Sequence, residues 1–169
     1  MNKKGHVLNA VLLSVGLGYV LDPSLTVATF ETMAQLSLPV ALGALFPDVD
    51  TAFGKHRKTL HNLPVLGIFV VFPTYFANLY FVWVGIATHY VLDVVGSRRG
   101  IALFYPFSKT EYGFPGGVTT SSTHADLVTV AVTGLEIGAF AAVHYYALPL
   151  SRGVNVNAAL AGLRAVIGL

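Results

Sequence analysis

Apolar positions in this chain run in long unbroken stretches, and short polar breaks divide them into elements. The first stretch, 7–21, is closed by Asp22-Pro23, a pair that ends one helix and opens the next. At about 1.5 Å per residue it falls short of a ~30 Å hydrocarbon core, so the helix must include flanking residues or tilt. The second, 27–46, carries Glu31 near its start and Pro39 inside, where a kink is expected. The tract 63–95 is too long for one crossing, and Pro73 and Asn78 divide it into helices at about 64–76 and 79–95. Residues 96–126 are rich in Gly, Ser, Thr and Pro and read as a loop with an amphipathic piece at 101–107. A last span covers 127–150, and a tail from Ser151, with Arg152 and Arg164, is expected to form a short surface helix. No repeat, linker or low-complexity segment interrupts the pattern. It predicts one all-α domain over 1–169, an integral membrane bundle of about five membrane-embedded helices.

Composition sharpens that reading. The chain is 54% hydrophobic and 11% charged, with a mean hydropathy of +0.68, whereas soluble domains carry about 25% charged residues. It has no cysteine, which excludes disulfides and thiolate metal sites and leaves only His and carboxylate as metal ligands. A net charge of +2 without a long basic stripe excludes nucleic acid as a partner. Lys3 and Lys4 before an apolar run resemble a signal peptide, but no small-residue cleavage site follows, so an uncleaved first helix is expected. Lys and Arg gather before the first helix, between the second and third (Lys55, Arg57, Lys58) and after the fourth (Arg98, Arg99, Lys109). With five crossings all three places share one side, which the positive-inside rule makes cytoplasmic; Arg152 and Arg164 fall on the other.

The densest polar stretch is 47–61, PDVDTAFGKHRKTLH, set between two apolar runs. In Pro47-Asp48-Val49-Asp50 the proline stops the second helix, and alternate carboxylates in an extended segment let one bind a metal while the other orients a ligand; the plainer role of Asp48 is a turn cap. His56 and His61 are five apart and need not share a face; His61, nearer the third helix, is the preferred ligand, with His56 facing ligand or substrate. Arg57 and Lys58 suit a bound anion, or simply orientation in the membrane. His89 and Asp93, at i and i+4, share one helical face and can grip a divalent ion or hydrogen-bond each other. His6 stands at the start of the first helix, so these candidates converge on one end of the bundle. His124 and Asp126 close the site or cap the last helix, and Glu136 and His144 form an interhelical polar contact at mid-depth. No Gly-x-Ser-x-Gly is present, which argues against a serine hydrolase.

Taken in order, the N-terminal His, "LGALFPDVD…HRKTLHN" and "GIATHYVLDVVGSRRGIALFYPFS" resemble the YdjM-like family of membrane-bound metal-dependent hydrolases, also described as LexA-binding and inner-membrane-associated. The likeness covers about residues 5–108, with Lys58 where the family more often has Gly. That family is in turn distantly similar to the zinc phospholipase C and single-strand nuclease fold. The resemblance implies metal ligands His89, Asp93, His61 and Asp48 or Asp50, with His6 contributing to a second ion. The further His-x-x-x-Glu helix of those enzymes has no match, so one or two Zn ions are expected rather than three. It further implies an inner-membrane hydrolase acting on a phosphoester, and the cluster's place at the cytoplasmic headgroup level makes a lipid-like ester the natural substrate class. The carboxylate of Asp48 or Asp50 that does not bind metal would serve as base, and Arg57, or Arg98 and Arg99, would hold substrate charge. The rivals are a non-enzymatic membrane protein with a structural or partner-binding metal, and a transporter relaying protons through Glu136 and His144.

Overall fold

The computed structural model describes residues 2–74 and 80–148. The turn expected at Asn78, the end of the last span at 150, and the tail with Arg152 and Arg164 lie outside the described residues. Five α-helices and no strand are found among those described: α1 (Lys3–Leu21), α2 (Val27–Leu45), α3 (Leu63–Val71), α4 (Val82–Val95) and α5 (Ala125–Ala142). A 3-10 turn, Pro47–Thr51, follows α2, and α5 continues as a π-helical turn, Val143–Ala147.

Local chemistry explains the ends. α1 begins before its apolar run because the Asn2 side chain accepts the Gly5 N–H at 2.8 Å, a cap that carries the helix to 19 residues. Thr26 and Thr29 form a capping box at the start of α2. Asn62 caps α3 by accepting the Val65 N–H, with Pro64 in the first turn. That helix ends at Val71, shorter than the expected 64–76, because Pro73 restricts Phe72 and has no N–H to donate, and the chain tightens into a 3-10 turn at Phe72–Thr74.

Among the described residues three segments are long and apolar enough to cross a membrane: Lys3–Leu21, Val27–Thr51 and Ala125–Ala147. α3, at nine residues, is about 13 Å long and cannot span; α4 is apolar but has 14 residues. The expectation of five crossings is thus corrected to three helices of spanning length and two shorter ones. Either count leaves the segments before α1, between α2 and α3 and between α4 and α5 on one side, and only the turn between α3 and α4 changes side.

The faces are arranged as a lipid-surrounded bundle requires. Val7, Val11 and Val15 of α1 point outward, while its opposite face buries His6, Asn9 and Ser14 beside Ala10, Leu13 and Leu17. α1 packs on α2 and α5, and α4 packs on α2 and α3. The α2–α4 contact is backbone against backbone. A Cβ on Gly43 would lie 2.0 Å from the Val82 carbonyl oxygen, and one on Gly85 2.0 Å from that of Val40. Between α4 and α5 the chain folds as an irregular strap, held by bridges Ser97–Val118 and Ile101–Tyr112. The expected piece at 101–107 is not helical, yet it is two-sided: Ile101 and Ala102 are fully buried, and Phe104 and Phe107 are exposed.

Gly85→Ala is expected to lower stability in detergent by about 1–3 kcal/mol through overpacking. Gly134→Ala, on α5 with no neighbour within 4 Å, should leave the melting temperature unchanged or raised. Equal shifts for the two variants in thermal unfolding would refute the close α2–α4 approach.

Candidate metal centre

The start of α1, the ends of α2 and α4 and the starts of α3 and α5 meet at one end of the bundle, and the polar cluster lies there. His89 sits one turn before Asp93 on α4, and its Nδ1 lies 2.7 Å from the Ala44 carbonyl of α2. A carbonyl only accepts, so Nδ1 carries the proton and Nε2 is left with its lone pair. His61, just before α3, is fixed in the same way by a carboxylate: its Nδ1 is 3.0 Å from Asp50 Oδ2. The two free Nε2 atoms therefore face each other at 3.0 Å, both fully buried. Two lone pairs hold that separation only around a cation, either a proton or a metal ion.

Two carboxylate oxygens complete the group. Asp48 Oδ1 is 3.7 Å from His61 Nε2 and 3.8 Å from His89 Nε2. Asp93 Oδ2 is 3.7 Å from the first and 3.6 Å from the second. Metal bonds of ~2.0–2.1 Å in a tetrahedron place neighbouring donors about 3.3 Å apart. These five separations, 3.0–3.8 Å, bracket that value, so the side chains lie where a metal ion could be held with small adjustments.

The extended segment expected at Pro47–Asp50 is a 3-10 turn instead, and this separates the two aspartates. In an extended chain Asp48 and Asp50 would point the same way. At three residues per turn they point about 120° apart. Asp48 faces the Nε2 side of His61, while Asp50 faces its Nδ1 side, also meeting His56 Nδ1 at 3.0 Å and the Leu60 N–H at 3.3 Å. Asp50 thereby holds the His61 and His56 rings from behind. His56 is about two-fifths exposed, 4.0 Å from Asp48 Oδ1.

His6 stacks on His89, rings 3.7 Å apart, with Nε2 3.5 Å from Asp93 Oδ1. Neither of its ring nitrogens has a hydrogen-bond partner among the described residues, although both are buried. Arg57 has a left-handed backbone, φ 66°, and a buried guanidinium. One terminal nitrogen lies 3.7 Å from Asp93 Oδ1, and the group donates to the Arg99 and Gly100 carbonyls and to Ser97 Oγ. Arg57 thus ties the strap to the cluster. The other charged candidates lie apart from it: Asp126 pairs with Lys4 at 2.7 Å, Glu136 accepts from Asn9 at 2.7 Å across α1 and α5, and His144 stacks on Phe140 of its own helix. His124 bears no capping bond.

Several groups that shape the site were not singled out by sequence. Tyr90, next to His89, donates to the Leu60 carbonyl and accepts the Asn62 N–H at 3.1 Å, holding both sides of His61. The Asn62 amide donates to the Lys58 and Thr59 carbonyls. Asn62 before Leu63-Pro64 is a helix-start signature that could have been read; the Ala44 carbonyl leaves no trace in a sequence. On the strap, partial burial works against ionising Glu111, but Lys58 at 3.0 Å and Arg99 at 3.5 Å outweigh it and hold its carboxyl below the usual range.

The chain matches the family described as YdjM inner membrane protein over residues 1–166. No curated protein and no solved structure matches it.

Tyr90→Phe is expected to destabilise the protein by about 1–3 kcal/mol, because buried partners lose their bond, with loosening visible as faster amide exchange around Leu60–Asn62. Because the Glu111 pKa is depressed on folding, its contribution is complete at neutral pH and disappears as pH falls through the lowered value. Protease cleavage of residues 98–112 should rise on acidification, and Glu111→Gln should show the higher rate already at pH 7.

Proposed function

The chain belongs to the YdjM inner membrane protein family, and on that premise we propose that it is a metal-dependent hydrolase working at the membrane surface. One observation carries the proposal: two histidines on different elements, each with Nδ1 engaged behind it, present Nε2 atoms 3.0 Å apart beside two carboxylates. That is the arrangement a bound divalent ion, zinc by its donor types, requires of its imidazole ligands.

His61, His89, Asp48 and Asp93 would hold the ion, and His6, at the far side of Asp93, would hold a second. When bound, such an ion supplies Lewis acidity that makes water a competent nucleophile near neutral pH. The chain's own groups do the rest. Asp50 fixes the tautomer of His61 and steers His56, which is partly exposed and would take or return a proton. Arg57 is a positioning residue, holding Asp93 and the strap in register. The substrate is a phosphoester or related ester presented at headgroup level. Lys3, Lys4, Lys55, Arg57, Lys58, Arg98, Arg99 and Lys109 all belong to the cluster's end of the bundle, which by the positive-inside rule faces the cytoplasm.

A structural metal is the reading to defeat, since the His61, His89 and Asp93 side chains are almost wholly buried; the partial exposure of Asp48 favours catalysis. Elemental analysis of the detergent-purified protein should find bound zinc, lost in His89→Ala and Asp93→Ala. Asp50→Ala should retain the site with about 10–100-fold weaker affinity. A His89→Ala/Asp93→Ala double variant with full metal content would sink the proposal. Metal-loaded protein that hydrolyses no micellar or soluble phosphoester faster than chelator-stripped protein would leave the structural reading in place.

A further inference from the structure

Besides the more exposed His56, the cluster meets open space at Asp48. A cavity of about 390 Å³ lies against it, walled by Lys3, Leu45, Val49, Thr51 and Ala52, in the crease between the start of α1 and the end of α2. Its composition is unusual for the approach to a cluster of carboxylates and imidazoles. Apart from Asp48 it has one charge, the exposed Lys3, one hydroxyl and three apolar side chains. The neighbouring Lys4 is engaged by Asp126 and does not serve it.

The apolar wall does not stop at the cavity. Leu45, at 36% exposure, is followed down α2 by Leu42 at 55% and Leu38 at 67%. These residues lie three and seven positions apart, so they form one stripe about 10 Å long running from the cavity along the outer face of the bundle. Val7 and Val11, one and two turns after Lys3 on the same face of α1, are exposed as well. A small soluble phosphoester has nothing to place on such a wall. An amphiphile whose hydrocarbon already lies in the bilayer does, and its anionic head then meets a lysine beside Asp48.

We propose that this crease is a lateral doorway through which an anionic phospholipid passes from the bilayer to the cluster, its phosphate on Lys3 and its acyl chain along Leu45, Leu42 and Leu38. The proposal names the substrate class of the hydrolase reading and rests on it for purpose. Its test reads binding rather than turnover.

The full-length protein in neutral detergent is titrated with short-chain phosphatidic acid, with phosphatidylcholine of the same chain length and with inorganic phosphate, binding being read by native mass spectrometry. Phosphatidic acid should bind best, and Lys3→Glu should weaken it about five- to tenfold while leaving phosphatidylcholine little changed. Val49→Asp should weaken both lipids. Lys109→Glu, the same charge change on the strap, should alter phosphatidic acid binding by less than about twofold if local contact rather than general attraction is at work. An unaltered metal content shows that each variant is folded. Equal affinity for the two lipids, equal losses in Lys3→Glu and Lys109→Glu, or displacement of the lipid by inorganic phosphate at comparable concentration would overturn the doorway. The two readings fail separately. The expected binding pattern without metal-dependent turnover removes the hydrolase, whereas turnover of soluble phosphoesters with no effect of Lys3 or Val49 removes the doorway.

Discussion

An imidazole or carboxylate withdrawn from water must be compensated by the groups it touches, and inside an apolar bundle nothing else is available. In this chain that demand sets the arrangement of one whole end. The bond from His89 Nδ1 to the Ala44 carbonyl joins α4 to α2, and the bond from His61 Nδ1 to Asp50 joins the start of α3 to the turn after α2. Both satisfy an inner N–H and, by doing so, leave an outer lone pair unsatisfied. The cluster is thus stabilised from behind and electron-rich in front, which is a stable state only with a cation between the rings.

The packing below is fitted to that requirement. A carbonyl on α2 can reach a ring on α4 because glycines at 43 and 85 let the two backbones touch. The strap after α4 adds a lid of backbone carbonyls, which Arg57 grips from the opposite side. Helix packing, tautomer choice and the charge held at Asp93 are in this way one problem with one solution. Asp48 alone among the donors keeps partial contact with the outside, and the crease beside it is lined by Lys3, Thr51 and three apolar side chains.

Much of this was legible in the residues themselves. The apolar runs place four of the five helices well, and the i, i+4 spacing of His89 and Asp93 brings their side chains together as expected. Two things were not legible, each for a physical reason. Alternation of charge at Asp48 and Asp50 reads the same in an extended chain and in a 3-10 turn, yet only the turn sends the two carboxylates to opposite sides of one ring. The role of Arg57 depends on a left-handed backbone and on carbonyls some forty positions later, and neither has a side-chain signature. The length of α3 could have been read from Pro73, whose effect on the preceding residue is local.

The donors at the cluster are spread along the chain from His6 to Asp93, with no two adjacent in sequence. Asp48, His56 and His61 lie close enough to hold an ion from one short segment, but the group of His6, His89 and Asp93 joins α1 to α4, so half the chain must be synthesised and inserted before the last donor exists. Arg57 extends the dependence, because the groups it grips at Ser97, Arg99 and Gly100 follow α4. The full cluster consequently exists only once α1, α2 and α4 are assembled together, and a chain arrested earlier has at most the local group of Asp48, His56 and His61.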